Sequence, residues 1–182
     1  MIDPDGLLDH AERLADTGSG LPTDADLRRG ISAAYYAVFH EVTGHAARHL
    51  VASCPQEIQN EIRRSWSHGE ISQLANYVID RSFTLHRAPD ASLAGRSEKL
   101  GPLLDVAAKD DNLVESLRLF NQMQEQRYLA DYDHEQAFSE SHLALACEHA
   151  RLARTRFGAA SNAAREAFFA LLTVGRDDFR RH

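Results

Sequence analysis

Leu27-Arg28-Arg29-Gly30-Ile31-Ser32-Ala33-Ala34-Tyr35-Tyr36-Ala37-Val38-Phe39-His40 is the stretch that decides the fold. Its apolar positions Leu27, Ile31, Tyr35, Val38 and Phe39, continued by Val42, recur at three- and four-residue spacing. That is the period of one helix face turned toward a core. Just upstream, Thr23 or Asp24 offers a side-chain oxygen to the free N–H groups of a first turn, so a helix is expected from there to about Val51.

The same period extends outward in both directions. A short helix is expected over about 5–16, ended by Thr17-Gly18-Ser19-Gly20-Leu21-Pro22. Pro55 suits the first turn of a helix over about 55–66, and another is expected over about 68–82 with Ile71, Leu74, Ala75 and Val78 inward. Residues 83–98, with Pro89 and Gly95 and little periodicity, read as a long loop. A helix over about 110–130 turns Leu113, Leu117, Phe120 and Met123 inward. Asp133-His134-Glu135-Gln136 has the form of a capping box and is expected to start a helix reaching about Arg156, buried through Phe138, Leu145 and Leu152. A last helix over about 159–173 carries Ala164, Phe168, Leu171 and Leu172. Strand-like alternation, repeats and domain boundaries are not found. The reading is all-α, one helical bundle spanning residues 1–182.

A chain of 182 residues with 43% hydrophobic and 26% charged residues can bury a core of its own. No apolar run approaches the length of a membrane span, and the acidic start Met1-Ile2-Asp3-Pro4-Asp5 is unlike a secretory signal. Cys54 and Cys147 have neither metal-binding nor redox spacing, so a reducing, cytoplasmic location is expected. The formal net charge of −7 argues against broad, non-specific nucleic-acid binding but leaves room for a local basic cleft. Candidate basic patches are Arg28 with Arg29, Arg63 with Arg64, and the series Arg151, Arg154 and Arg156.

The chemistry concentrates in Arg127-Tyr128-Leu129-Ala130-Asp131-Tyr132-Asp133-His134. On a continuous helix Arg127, Asp131 and His134 share a face. A guanidinium is a fixed cation suited to phosphate oxygens, and an imidazole exchanges a proton near neutral pH. A solvated helix edge with an ordinary Arg–Asp pair would look the same, and Asp131 either orients its neighbours or neutralises Arg127. The expected capping box also allows Arg127 and His134 to stand on two sides of a helix junction. Tyr35 fits the apolar stripe; Tyr36, about 100° around the helix, suits a cleft, and His40 follows it by one turn.

Together, the Ser32-Ala33-Ala34-Tyr35-Tyr36-Ala37-Val38-Phe39-His40 run and the later Arg127-x6-His134 pair resemble the HEPN family (higher eukaryotes and prokaryotes nucleotide-binding domains), in particular its small prokaryotic toxin branch of the UPF0332 type. The resemblance covers about 24–157 in element order and implies a four-helix core with additional short helices. It also implies a homodimer whose two motifs face one cleft, and a metal-independent endoribonuclease acting on RNA. In that chemistry the ribose 2′-hydroxyl attacks the adjacent phosphate, Arg127 stabilises the charge on its oxygens, and His134 moves a proton. Asp131, Tyr36 and His40 would support the site. The six-residue spacer and Tyr128, where active members often carry Asn, Asp or His, depart from the family pattern. The alternative is a non-catalytic nucleotide- or protein-binding module. Some family toxins are silenced by a nucleotidyltransferase antitoxin that modifies a tyrosine near the motif, which singles out Tyr128 and Tyr132. No cofactor is implied.

Metal and hydrolase motifs do not compete well. His40-Glu41-Val42-Thr43-Gly44-His45 has one residue too many for the zinc-protease spacing, and His45 with His49 lacks convincing further ligands, as does His142 with His149. No metal site is expected. Neither a Gly-x-Ser-x-Gly elbow nor a phosphate-cradling glycine loop occurs.

Overall fold

The structure, a computed structural model, describes residues 3–15, 20–89 and 99–174. Within them lie eight helices and no strand: α1 Pro4–Ala15, α2 Asp24–Val51, α3 Gln56–Arg64, α4 His68–Arg87, α5 Gly101–Ala108, α6 Asp111–Tyr132, α7 Glu140–Ala159 and α8 Asn162–Val174. The all-α bundle expected from the periodicity is present.

The long α2 is the axis of the bundle, packed by α1, α6 and α7 along its length and by α3 at its end. Thr23 begins it through a reciprocal capping box: its hydroxyl accepts from the Asp26 N–H at 3.2 Å, and the Asp26 carboxylate accepts from the Thr23 N–H at 3.0 Å. Between Gly30 and Ala47 this helix is buried on more than one side, and Ala34, Tyr35, Ala37 and Val38 are almost wholly enclosed. Gly30 sits against α7 so closely that a Cβ there would lie 2.6 Å from Leu143 Cδ1. Such an approach fixes how α2 and α7 cross.

Three boundaries differ from the sequence reading. The helix expected over 68–82 continues to Arg87, because Leu85 remains buried and Arg81, itself buried, places its Nε 2.6 Å from Asp105 Oδ1. That ion pair belongs to α5, a helix of eight residues that sequence periodicity did not reveal; it packs between α4 and α8. The remainder of the expected loop, residues 90–98, lies outside the described residues, as do residue 16 of the first expected helix and 17–19 of the break after it.

The third difference matters most for the site. Asp133 does not start a helix but ends one: its N–H bonds back to Leu129 O, and its carboxylate accepts from the N–H groups of Glu135 and Gln136. This is an Asx-type turn, which satisfies the same donors without entering a helix. The next helix begins only at Glu140, where the Ser139 N–H donates to His142 Nδ1 at 3.0 Å. With that register, Leu145 and Leu152 face outward at 41% and 37% exposure. The inner face of α7 is instead Leu143, Ala146, Cys147, Ala150, Ala153 and Phe157. Small residues there allow the close approach to α2. The last helix is part of the core, with Phe168, Phe169, Leu171 and Leu172 buried.

Candidate functional site

One face of α2 presents Ser32, Tyr36 and His40 at four-residue steps, and the last turns of α6 pack against it. Ser32 Oγ donates to Asp131 Oδ1 at 2.5 Å. The other oxygen of that carboxylate lies 2.6 Å from Arg127 Nε, an ion contact without the alignment of a hydrogen bond. Arg127 Nη2 donates to the Tyr36 hydroxyl at 3.0 Å. The guanidinium carbon stands 5.4 Å from the Tyr36 ring centroid and 5.6 Å from that of Tyr132. Burial disfavours the charge on Arg127, but Tyr36, Asp131 and Tyr132 outweigh it and hold the group above its ordinary value. The result is a cation fixed in place between two rings, with its side chain 17% exposed.

Tyr36 also stacks on His40, ring centroids 6.0 Å apart and 23° between planes. A second histidine, His68 at the start of α4, meets Tyr36 edge-on at 5.5 Å and packs against Phe39 at 4.0 Å. Tyr35, fully buried, shares a 2.7 Å hydrogen bond with His68 Nδ1. Burial pushes the Tyr35 hydroxyl well above the phenol range, so it keeps its proton and donates. Burial first, then the Arg127 charge, lowers His68. A neutral His68 accepting at Nδ1 carries its proton on Nε2. His40 is pushed down to about 4 by burial, by Arg63 and by His68. Both rings are therefore neutral at pH 7.

The family resemblance assigned Arg127, His134, Asp131, Tyr36 and His40 to one site; the fold brings Arg127, Asp131, Tyr36 and His40 together but not His134. Sequence reading missed His68, whose place after Ser67 reads only as the start of a helix; its partner Tyr35 lies far away in the chain. Ser32 was legible in principle, since it continues the Tyr36–His40 register by one more turn.

His134 is placed differently. It lies on the exposed segment after α6, and among the described residues no hydrogen bond, ion pair or ring contact joins it to Arg127 or to any other side chain. The two residues do not share a helix face. The segment is held through its backbone by Arg28: Nη1 donates to Ala130 O at 3.0 Å and Asp133 O at 2.8 Å, and Nη2 to Gln136 O at 2.5 Å. Its guanidinium carbon also lies 5.0 Å from the Phe138 ring centroid. Arg28 thus satisfies carbonyls left open at the C-terminus of α6. It is a structural clamp rather than part of a free basic patch. The series Arg151, Arg154 and Arg156 is also engaged, with Glu12, with Glu41 and Asp5, and with Asn112 respectively.

Tyr132 is 58% exposed, beside Tyr128 at 60%, their ring centroids 5.2 Å apart. His45 pairs with Glu41 at 2.9 Å and His49 packs on Phe169, so these two histidines face different partners. The chain matches no protein-family model. No curated protein or solved structure matches it at a significant level either.

Proposed function

We propose that this chain is a HEPN-like, metal-independent endoribonuclease of the toxin or defence type, acting as a homodimer in the cytoplasm. The observation that carries the reading is Arg127: a cation fixed by Tyr36 and Asp131 between two aromatic rings, at the edge of the bundle. A guanidinium held in this way can bind a phosphate and stabilise negative charge as it develops, with little reorganisation during the reaction. The 2′-hydroxyl gives up its proton as its oxygen bonds to phosphorus. The bond from phosphorus to the 5′-oxygen breaks, and that oxygen takes up a proton. The products are a 2′,3′-cyclic phosphate and a free 5′-hydroxyl. His134 serves as the proton carrier. Because it stands apart from Arg127 within one chain, RNA or the motif of a second copy must complete the geometry.

A second reading has its own support. Asp131 already balances Arg127, and His134 is unsupported by any side chain among the described residues, as suits a non-catalytic nucleotide- or protein-binding module. In either reading, exposed Tyr128 and Tyr132 are open to modification by a nucleotidyltransferase-type antitoxin. Cleavage of a structured RNA pool in EDTA separates the two. The nuclease reading expects cyclic-phosphate ends from the wild type, with a loss of about 10²–10³-fold for Arg127→Ala and at least about 10²-fold for His134→Ala. RNA binding without cleavage by a folded wild-type dimer would establish the module instead.

A further inference from the structure

Beside Arg127, one hydroxyl carries a proton that the fold does not use. Arg127 Nη2 donates to the Tyr36 oxygen at 3.0 Å, so this oxygen serves as an acceptor, and its own hydrogen meets no partner among the described residues. The ring behind the hydroxyl is half-buried against the core and gripped by its neighbours. Tyr35 lies at 5.6 Å, Phe39 at 6.5 Å, His68 at 5.5 Å and His40 at 6.0 Å between ring centroids. A ring held in this way delivers its hydroxyl to one place. An oxygen bound at the usual distance by that edge of the guanidinium can also be reached by the hydroxyl.

The proposed cleavage moves two protons, one off the 2′-oxygen and one onto the 5′-oxygen, and the two histidines packed on Tyr36 are poorly suited to the second transfer. His40 is pushed down to about 4 by burial first, then by Arg63 and His68, so at pH 7 it is not an imidazolium. His68 is lowered by burial and then by Arg127, and its Nδ1 is taken by the Tyr35 hydroxyl at 2.7 Å. A neutral imidazole gives up its remaining proton far less readily than a phenol does. Arg127 in turn favours a phenolate beside it, since opposite charges at this separation attract. The same attraction acts on Arg127: burial opposes its charge, and Tyr36 is the foremost influence restoring it.

We infer that Tyr36 is the proton donor to the 5′-oxygen, an inference that rests on the ribonuclease reading above. The 2′-oxygen bonds to phosphorus as its proton passes to His134. The bond from phosphorus to the 5′-oxygen breaks, its electron pair stays on that oxygen, and the Tyr36 proton joins it. The phenolate left beside Arg127 takes a proton back from water. Acid and base are thus separate residues, the acid fixed by α2 and the base carried on the segment after α6.

The test compares two substrates at a site that the wild type cuts, with the full-length protein in EDTA. One is ordinary RNA; the other carries sulfur in place of the 5′-oxygen, and its thiolate leaves without being protonated. Tyr36→Phe keeps the ring and its packing, so helical circular dichroism and the urea midpoint should show a folded protein. It should slow cleavage of ordinary RNA at least about 10²-fold, yet cut the sulfur-containing RNA within about threefold of the wild-type rate. Arg127→Ala and His134→Ala should slow both substrates, because charge stabilisation and removal of the 2′-proton are needed with either leaving group. Equal slowing of both substrates by Tyr36→Phe would make Tyr36 a support for Arg127 only, and an unimpaired variant would remove it from the reaction. Either result overturns the inference and leaves the ribonuclease reading standing. Wild-type protein that cuts neither substrate would overturn the ribonuclease reading itself, and this inference with it.

Discussion

The last two turns of α6 and the segment directly after them are held in different ways. Arg127 and Asp131 are fixed through their side chains by Tyr36 and Ser32 on α2, before any ligand arrives. Residues 133–136 are fixed through their backbone by Arg28 and an Asx turn, and His134 is left without a side-chain partner among the described residues. The difference teaches where the cost of ordering falls. The cation is pre-organised by the fold, whereas on the proposed ribonuclease reading the imidazole has to be placed by RNA or a second copy.

Removing the backbone clamp tests this contrast most severely. Arg28→Ala should cost about 2–3 kcal/mol, because charge-assisted bonds to three carbonyls are lost at a helix end. Urea denaturation would show it, and stability unchanged within error would mean that the segment orders itself. A smaller effect is expected from acid. His40 titrates at about 4 in the folded chain, against an ordinary value near 6.5. As pH falls from 6.5 toward 4, the unfolded chain takes up this proton before the folded one, so stability is full above that window and declines through it. With allowance for residual solvent screening, the decline is on the order of 1–2 kcal/mol. His68 adds in the same direction. A His40→Gln variant should flatten the profile.

Ser32→Ala comes next, at about 1 kcal/mol for one lost hydrogen bond. It should also loosen Asp131, so any effect on RNA cleavage would appear as a loss larger than the stability change explains. The smallest effect belongs to His134→Ala, which should leave the melting midpoint unchanged, within about 0.5 kcal/mol. A clear destabilisation there would show that His134 has a structural partner and would erase the contrast. Paired with the cleavage assay, unchanged stability makes any loss of activity attributable to chemistry.

Much of this architecture was readable from local rules. Thr23, one of the two caps expected, marks the start of α2, and the spacing of Ile71, Leu74 and Val78 marks the inner face of α4. Helices write their buried face into a short period, so their existence and type survive without tertiary knowledge. The short α5 escaped because Gly101-Pro102-Leu103-Leu104 offers too few turns to establish that period. The α6–α7 junction escaped for a different reason. Asp133 satisfies the same N–H donors in a turn as in a helix cap, and the choice between them rests on Arg28, distant in sequence.

The sequence by itself determined that this chain is helical and where most of its helices run, because periodicity and side-chain chemistry are local properties that suffice for those conclusions. That Arg127, Asp131, Tyr36 and His40 belong to one region was an expectation from the HEPN resemblance, and tertiary contacts bring them together. Only the tertiary structure decided that His68 joins that region and that His134 stands outside it. Each of these depends on how separate helices meet, and a meeting of helices is a long-range property that no short window of sequence contains.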